Sequence, residues 1–123
     1  MLPLNVVVIQ NDAHATQALA AALHEHFNSV SVTRSEEELR IAIPRRRADV
    51  AIVDLELVDL PAVSRLRQEF GSTTFVCTHR LADEEMWTAA LAVGAVDCCH
   101  TSDVKAIVEA AARRLTRAQS NAA

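Results

Sequence analysis

The fold is decided by a short stretch in the middle of the chain, Ala48-Asp49-Val50-Ala51-Ile52-Val53-Asp54. Its apolar part is continuous rather than alternating, which is typical of a strand buried on both faces of a parallel sheet. The stretch stops at the carboxylate of Asp54. In open α/β sheets functional groups gather at the carboxyl ends of the strands, so Asp54 is the first candidate site residue.

The same alternation of patterns extends outward in both directions. Apolar or alternating runs predict four more strands, near residues 5–10, 29–33, 73–78 and 96–99. Helical spacing predicts helices between and after them, as in the stripe Leu19, Leu23, Phe27 and in the capping residues Ser35 and Ser102. Five β-α repeats with short connections predict a mainly parallel sheet that helices cover on both faces, with right-handed crossovers.

Composition narrows the class of protein. The chain has 123 residues, of which 50% are hydrophobic and 23% charged, and this suits one packed domain. No apolar run reaches the roughly 20 residues of a membrane span, and no signal peptide opens the sequence, so we expect a cytoplasmic protein without a membrane partner. The net charge of −4 argues against nucleic acid as a partner. Cys77, Cys98 and Cys99 lack zinc-site spacing and are expected to be reduced, buried thiols.

Polar residues mark the predicted strand ends. They are Gln10, Asn11 and Asp12 after the first strand, Asp54 after the third, Thr78 after the fourth, and His100 and Thr101 after the fifth. A carboxylate among them could bind a divalent cation, accept a phosphoryl group, or cap the following turn. From the residues alone these three readings stay open.

The chain resembles the receiver domains of two-component response regulators. The resemblance rests on residues 8–12, 48–54, 75–78 and 93–97 and extends from Val6 to Leu115. It implies a flavodoxin-like doubly wound five-stranded parallel sheet, (βα)5, with strand order 2-1-3-4-5. We therefore expect a receiver-like domain over residues 1–118 and a disordered tail over 119–123.

The resemblance also assigns roles to positions. In that family an Asp ending the third strand receives phosphate from a histidine kinase, an acidic pair after the first strand holds Mg²⁺, and a Lys follows the fifth strand. Here the phosphoacceptor position is Asp54 and the switch hydroxyl is Thr78. The other positions depart from the family: Gln10 and Asn11 replace the acidic pair, with Asp12 one residue beyond, and Thr101 replaces the lysine.

These departures predict an atypical receiver, or pseudo-receiver. Phosphoryl transfer needs a cation and positive groups to neutralise the phosphate oxygens, and hard cations are held by carboxylates. His79 further narrows access to the site, and Cys98 stands where the family has a movable aromatic residue. We expect neither an enzyme nor a cofactor. The alternative is a working receiver that phosphorylates Asp54 and in which Asp12 and Asp54 hold Mg²⁺.

An atypical receiver would work by binding other proteins. The family uses the surface of the fourth helix, fifth strand and fifth helix to bind a protein partner or to form a homodimer. Trp87 either packs in the core or marks that surface as an aromatic anchor. The candidate surface consists of Trp87, Val93, His100, Lys105 and Arg113.

Overall fold

Strands and helices alternate along the described part of the chain. The computed structural model describes the backbone of residues 2–122 and the side chains of residues 2–113. The elements are β1 (Leu2–Ile9), α1 (Ala13–His26), β2 (Phe27–Thr33), α2 (Glu36–Arg45), β3 (Val50–Asp54), α3 (Leu60–Glu69), β4 (Thr74–His79), α4 (Glu84–Ala92), β5 (Asp97–His100) and α5 (Val104–Ala122).

The five strands form one parallel sheet in the order β2-β1-β3-β4-β5. The predicted flavodoxin-like α/β fold is therefore confirmed. Strand β3, which holds the deciding stretch, lies at the centre, and all five of its residues are buried. Its last residue, Asp54, is in register with Thr78 of β4.

Each face of the sheet has its own apolar layer. Because successive strand residues point to opposite faces, Ala51 and Val53 join one layer and Val50 and Ile52 the other. Helices α2, α3 and α4 cover the first layer, for example through Leu66 of α3. Helices α1 and α5 cover the second with the buried side chains of Leu19, Leu23, Ile107, Ala110 and Ala111.

Helix termini agree with the sequence patterns at most positions. Asp12 caps α1 through His14 N–H at 3.0 Å, and Ser35 caps α2 through Glu38 N–H at 3.1 Å. The predicted cap at Ser102 is wrong. Asp103 takes that role instead, since its carboxylate accepts from Ala106 N–H at 3.1 Å.

Phe27 was expected to close the apolar stripe of α1, and this is also wrong. Helix α1 ends at His26, and Phe27 begins β2 with its side chain fully buried. The ring packs in the same layer as Leu19 and Leu23, so the chain keeps the predicted burial while the backbone becomes extended.

The turn between α4 and β5 requires a glycine. Gly94 has a φ of 102°, a conformation that residues with a Cβ rarely adopt. A Cβ there would lie 2.8 Å from Cγ of Arg67 on α3. Gly94 therefore fixes the path by which the chain enters β5.

The end of α5 reaches the limit of the described chain. The helix continues to Ala122, past the predicted end near Leu115, whose side chain lies outside the described residues. The predicted disordered tail over residues 119–123 lies where side chains are not described, and it stays a prediction. None of the helices within the described residues has the length and apolar character needed to cross a membrane.

Candidate functional site

The carboxyl ends of β1, β3 and β4 bring the predicted site residues together. Gln10, Asp54 and Thr78 are all buried at this edge of the sheet, with exposed fractions of 6%, 1% and 0%. The Nε2 atom of Gln10 donates to Oγ1 of Thr78 at 2.9 Å. Within the described residues the Gln10 Oε1 atom is buried without a hydrogen-bond partner.

Both carboxylate oxygens of Asp54 accept hydrogen bonds from backbone donors. Oδ2 accepts from Asn11 N–H at 2.8 Å, and Oδ1 accepts from Glu56 N–H at 2.9 Å. The Asp54 carbonyl oxygen also accepts from Leu57 and Val58, which turns the chain sharply after β3. The carboxylate thus joins the loop after β1 to the loop after β3.

The positions beside Asp54 carry neutral or outward-facing groups. Asn11 is exposed, and its Nδ2 atom lies 3.4 Å from Glu56 Oε2. Asp12 is exposed as well, and its Oδ1 atom caps α1. At the lysine-equivalent position, Thr101 N–H donates to the His79 carbonyl at 3.2 Å. Its hydroxyl oxygen is buried without a hydrogen-bond partner in the described part of the chain.

An ion pair that the sequence analysis missed lies close to this site. Arg80 Nε donates to Glu56 Oε1 at 2.7 Å, and His79 Nε2 lies 3.9 Å from the same oxygen. His79 Nδ1 accepts from Leu81 N–H at 2.9 Å, so a neutral ring carries its hydrogen on Nε2. Glu56 follows Asp54 by two residues, and Arg80 follows Thr78 by two. Extending the strand-end argument by two residues would have found the pair.

Electrostatics link this ion pair to Asp54. The hydrogen bond from Arg80 holds the pKa of the Glu56 carboxyl below its ordinary value. In return, the hydrogen bond to Glu56 raises the pKa of Arg80, and the charges of Glu56 and Asp54 raise it further. The loop after β4 therefore places the guanidinium of Arg80 beside Glu56, two residues after Asp54.

The donor set does not fit a carboxylate-built magnesium site. Asp54 uses both oxygens on backbone donors, Asp12 is engaged as a helix cap, and Gln10 directs its amide nitrogen at Thr78. Hard divalent cations prefer several oxygen ligands, carboxylates above all. Among the residues with described side chains, no group of three or more His, Cys, Asp or Glu side chains is arranged to hold a metal ion.

The candidate partner surface is organised around Asp97 at the start of β5. Trp87 on α4 is 43% exposed, and its indole Nε1 donates to Asp97 Oδ1 at 2.9 Å. Arg113 on α5 lies 3.1 Å from Asp97 Oδ2. Asp97 thus connects the two helices, although the sequence analysis did not select it. The other candidates are half-buried Val93 after α4, exposed His100 at the end of β5 and exposed Lys105 on α5.

The fold defined by these elements is that of the receiver domains of response regulators. The sequence matches no protein-family model and no curated protein. A response regulator from Thermotoga maritima is 23% identical with a TM-score of 0.80, and the match covers 94% of this chain and 99% of that one. For the receiver domain of the Francisella response regulator 1452 the values are 17%, 0.82, 94% and 98%.

An orphan response regulator of H. pylori is also similar. It is 22% identical with a TM-score of 0.78, and the match covers 91% of this chain and 96% of that chain. At such identities the likeness establishes a shared fold, and function has to be argued from the site.

Proposed function

We propose that this chain is a receiver domain of signal transduction that works through protein–protein interaction and is not efficiently phosphorylated. The observation that carries the proposal is the state of Asp54. It is 1% exposed, and each of its oxygens accepts a backbone hydrogen bond. A phosphodonor must therefore reach a carboxylate that is both covered and already engaged in bonding.

The neighbouring positions support the same proposal. Phosphoryl transfer is mainly electrostatic, so it needs a metal ion and a fixed positive group at the transferred phosphoryl. Gln10 and Asn11 offer amides where the family has carboxylates, and Thr101 offers a buried hydroxyl where it has an ammonium. The switch hydroxyl of Thr78 is already bonded to Gln10.

Mass spectrometry of the intact protein tests this proposal. After incubation with acetyl phosphate and Mg²⁺ we expect the mass to remain unchanged, while a receiver with a complete site, treated in parallel, gains one phosphoryl group. A phosphoryl adduct on the wild-type chain that is absent from an Asp54→Ala variant would refute the proposal.

The second candidate function is a working receiver that phosphorylates Asp54. The pairing of Arg80 with Glu56 at 2.7 Å favours it, because Glu56 follows Asp54 by two residues and the guanidinium could replace the missing ammonium. In this case Asp12 would have to leave its capping position and join Asp54 in holding Mg²⁺. The adduct would then be lost in an Arg80→Gln variant but kept in Arg65→Gln, a change on exposed α3 surface.

We propose the surface of α4, β5 and α5 as the place where a protein partner or a second copy binds. Exposed aromatic residues dominate interface energetics, and Trp87 is held in a fixed orientation by Asp97. If a homodimer forms there, sedimentation equilibrium will show dimers for the wild type and monomers for Trp87→Ala. Ile41→Ala, which removes an apolar side chain that is 55% exposed on α2, is the matched control. A histidine kinase, the upstream partner in the receiver family, is a further candidate partner of this chain.

A further inference from the structure

We infer that the groove between α1 and the loops after β2 and β3, here called the α1 groove, binds a small organic anion with an apolar body. It has a volume of about 640 Å³, within the usual range of about 300–1,000 Å³ for small-molecule sites. Gln10 and Asn11 of the site around Asp54 are among its lining residues, and the others lie outside that site.

The walls of the α1 groove are mainly apolar. Val32 from β2 and Leu57 from the loop after β3 line it, and they are 46% and 42% exposed. Ala13 and Ala20 contribute small side chains from α1, which leaves room between the walls. Exposed apolar side chains that converge on one concave surface favour a ligand with an apolar body.

The charge of the α1 groove selects the sign of the ligand. Arg34, in the connection from β2 to α2, is the one charged residue among the described residues that line it. Within the described part of the chain the Arg34 guanidinium takes part in no ion pair. The Glu38 carboxylate accepts from the Arg34 backbone N–H at 2.9 Å but is not among the lining residues, so the guanidinium is a local positive group on a protein with a net charge of −4. An anionic head group, such as a carboxylate, sulfonate or phosphate, complements it.

The floor of the α1 groove belongs to the network around Asp54. Gln10 and Asn11 line the groove, and they bond to Thr78 and Asp54 respectively. A ligand that shifts these two residues therefore changes the bonding of the switch hydroxyl and of the acceptor carboxylate. This effect of a bound ligand on Thr78 and Asp54 rests on the proposed function. If Asp54 is not phosphorylated, binding of a ligand in the groove would be a signal that reaches the same residues without phosphoryl transfer.

Two dyes that differ in one group test the inference. Anilinonaphthalene sulfonate has an aromatic body and a sulfonate, and N-phenyl-1-naphthylamine has the same body without the charge. In ¹⁵N NMR titrations of the full chain we expect both dyes to shift the amides of Gln10, Ala13, Val32 and Leu57, with the amide of Thr78 following. Shifts confined to other surfaces, or no saturable binding of the sulfonate, would overturn the inference.

Matched variants separate the wall from the charge. Leu57→Asp should weaken binding of the sulfonate by about tenfold, because it replaces an apolar contact with a like charge. Leu81→Asp, at an exposed leucine outside the groove, should leave binding unchanged. Arg34→Gln should weaken binding of the sulfonate dye by about two- to fivefold and leave binding of the neutral dye unchanged, as expected for the loss of one exposed ion pair. Equal effects of Leu57→Asp and Leu81→Asp would exclude the groove.

The outcome is distinguishable from that of the proposed function. If the dyes do not bind and Asp54 gains no phosphoryl group, ligand binding in the groove is refuted and the proposed interaction function is retained. If the dyes bind in the groove and Asp54 also gains a phosphoryl group, the groove is retained as a binding site. The proposal that the domain works without phosphorylation is then refuted.

Discussion

At the scale of single residues, the site depends on a carboxylate that serves the backbone. Asp54 accepts hydrogen bonds from N–H groups of two different loops, so it has a structural role that does not depend on phosphorylation. A buried N–H without an acceptor costs roughly 1–3 kcal/mol. This makes Asp54 a residue whose replacement is felt in stability.

We predict that Asp54→Asn lowers the free energy of unfolding by about 1–3 kcal/mol, because the new amide turns a donor towards one backbone N–H. Urea denaturation followed by circular dichroism measures the change. The matched control is Asp12→Asn, for which we expect almost no change, since Asn caps helices as well as Asp does. Equal losses in the two variants would contradict the prediction.

At the scale of elements, α4, β5 and α5 are joined by one side chain. Asp97 accepts from the Trp87 indole and from Cys98 N–H at 2.8 Å, and it pairs with Arg113. We predict that Asp97→Ala lowers the free energy of unfolding by about 1–2 kcal/mol, mainly through the two lost hydrogen bonds. Chemical denaturation measures this loss.

The exposed pair with Arg113 should contribute little to that loss. Arg113→Gln is therefore the control for Asp97→Ala, and we expect a change below about 1 kcal/mol. If Arg113→Gln were as costly as Asp97→Ala, the hydrogen bonds would not be the main source of the stability.

Strands β4 and β5 contain three buried thiols that lower the stability of the folded state at high pH. Burial raises the pKa of Cys77 and Cys99 to about 12 and that of Cys98 to about 11, from an ordinary value of 9.0. The unfolded thiols ionise first, so the folded state loses stability as the pH rises above 9.0 towards 11 to 12. Below 9.0 these groups add no pH dependence.

We predict that the urea midpoint of the wild type falls across that pH window and that it falls less in a Cys77→Val variant. Valine keeps the apolar packing of β4 and removes the ionisable group. The same fall in both proteins would show that other groups cause it.

At the scale of the whole molecule, the five-stranded sheet brings Gln10, Asp54 and Thr78 to one edge, where side chains can be exchanged to test the proposed function. We predict that the combined changes Gln10→Asp, Asn11→Asp and Thr101→Lys lower the melting temperature without Mg²⁺, because two added carboxylates repel Asp54 and the single added ammonium offsets only part of that repulsion. Mg²⁺ should raise the melting temperature again, since it binds only the folded site. Acetyl phosphate should then add a phosphoryl group.

The control for this variant carries Asp54→Ala in addition. It should keep no phosphoryl adduct, which shows that the group is on Asp54. A combined variant that ignores Mg²⁺ in its melting temperature would contradict the prediction that these three positions face one site.

The sequence was sufficient for the positions at the sheet edge. Gln10 follows β1, Asp54 ends β3 and Thr78 is the penultimate residue of β4, and parallel pairing alone brings such residues together. The pair of Glu56 and Arg80 was missed because the strand-end argument stopped at Asp54 and Thr78, and each of the two residues lies two positions further along the chain. Asp97 was missed because its partners, Trp87 and Arg113, are distant in sequence and meet it only in the folded chain. Phe27 was assigned to α1 instead of β2 because helical spacing and strand burial place it in the same apolar layer.

One feature of the α4 surface gives the molecule its own optical reporter. Trp87 is the one tryptophan of a chain without tyrosine, so emission excited at long ultraviolet wavelengths comes from a single known point. Its indole is half open to water and tethered to Asp97. Anything that covers this surface will change the colour and intensity of that emission, and binding there can be followed without attaching a label.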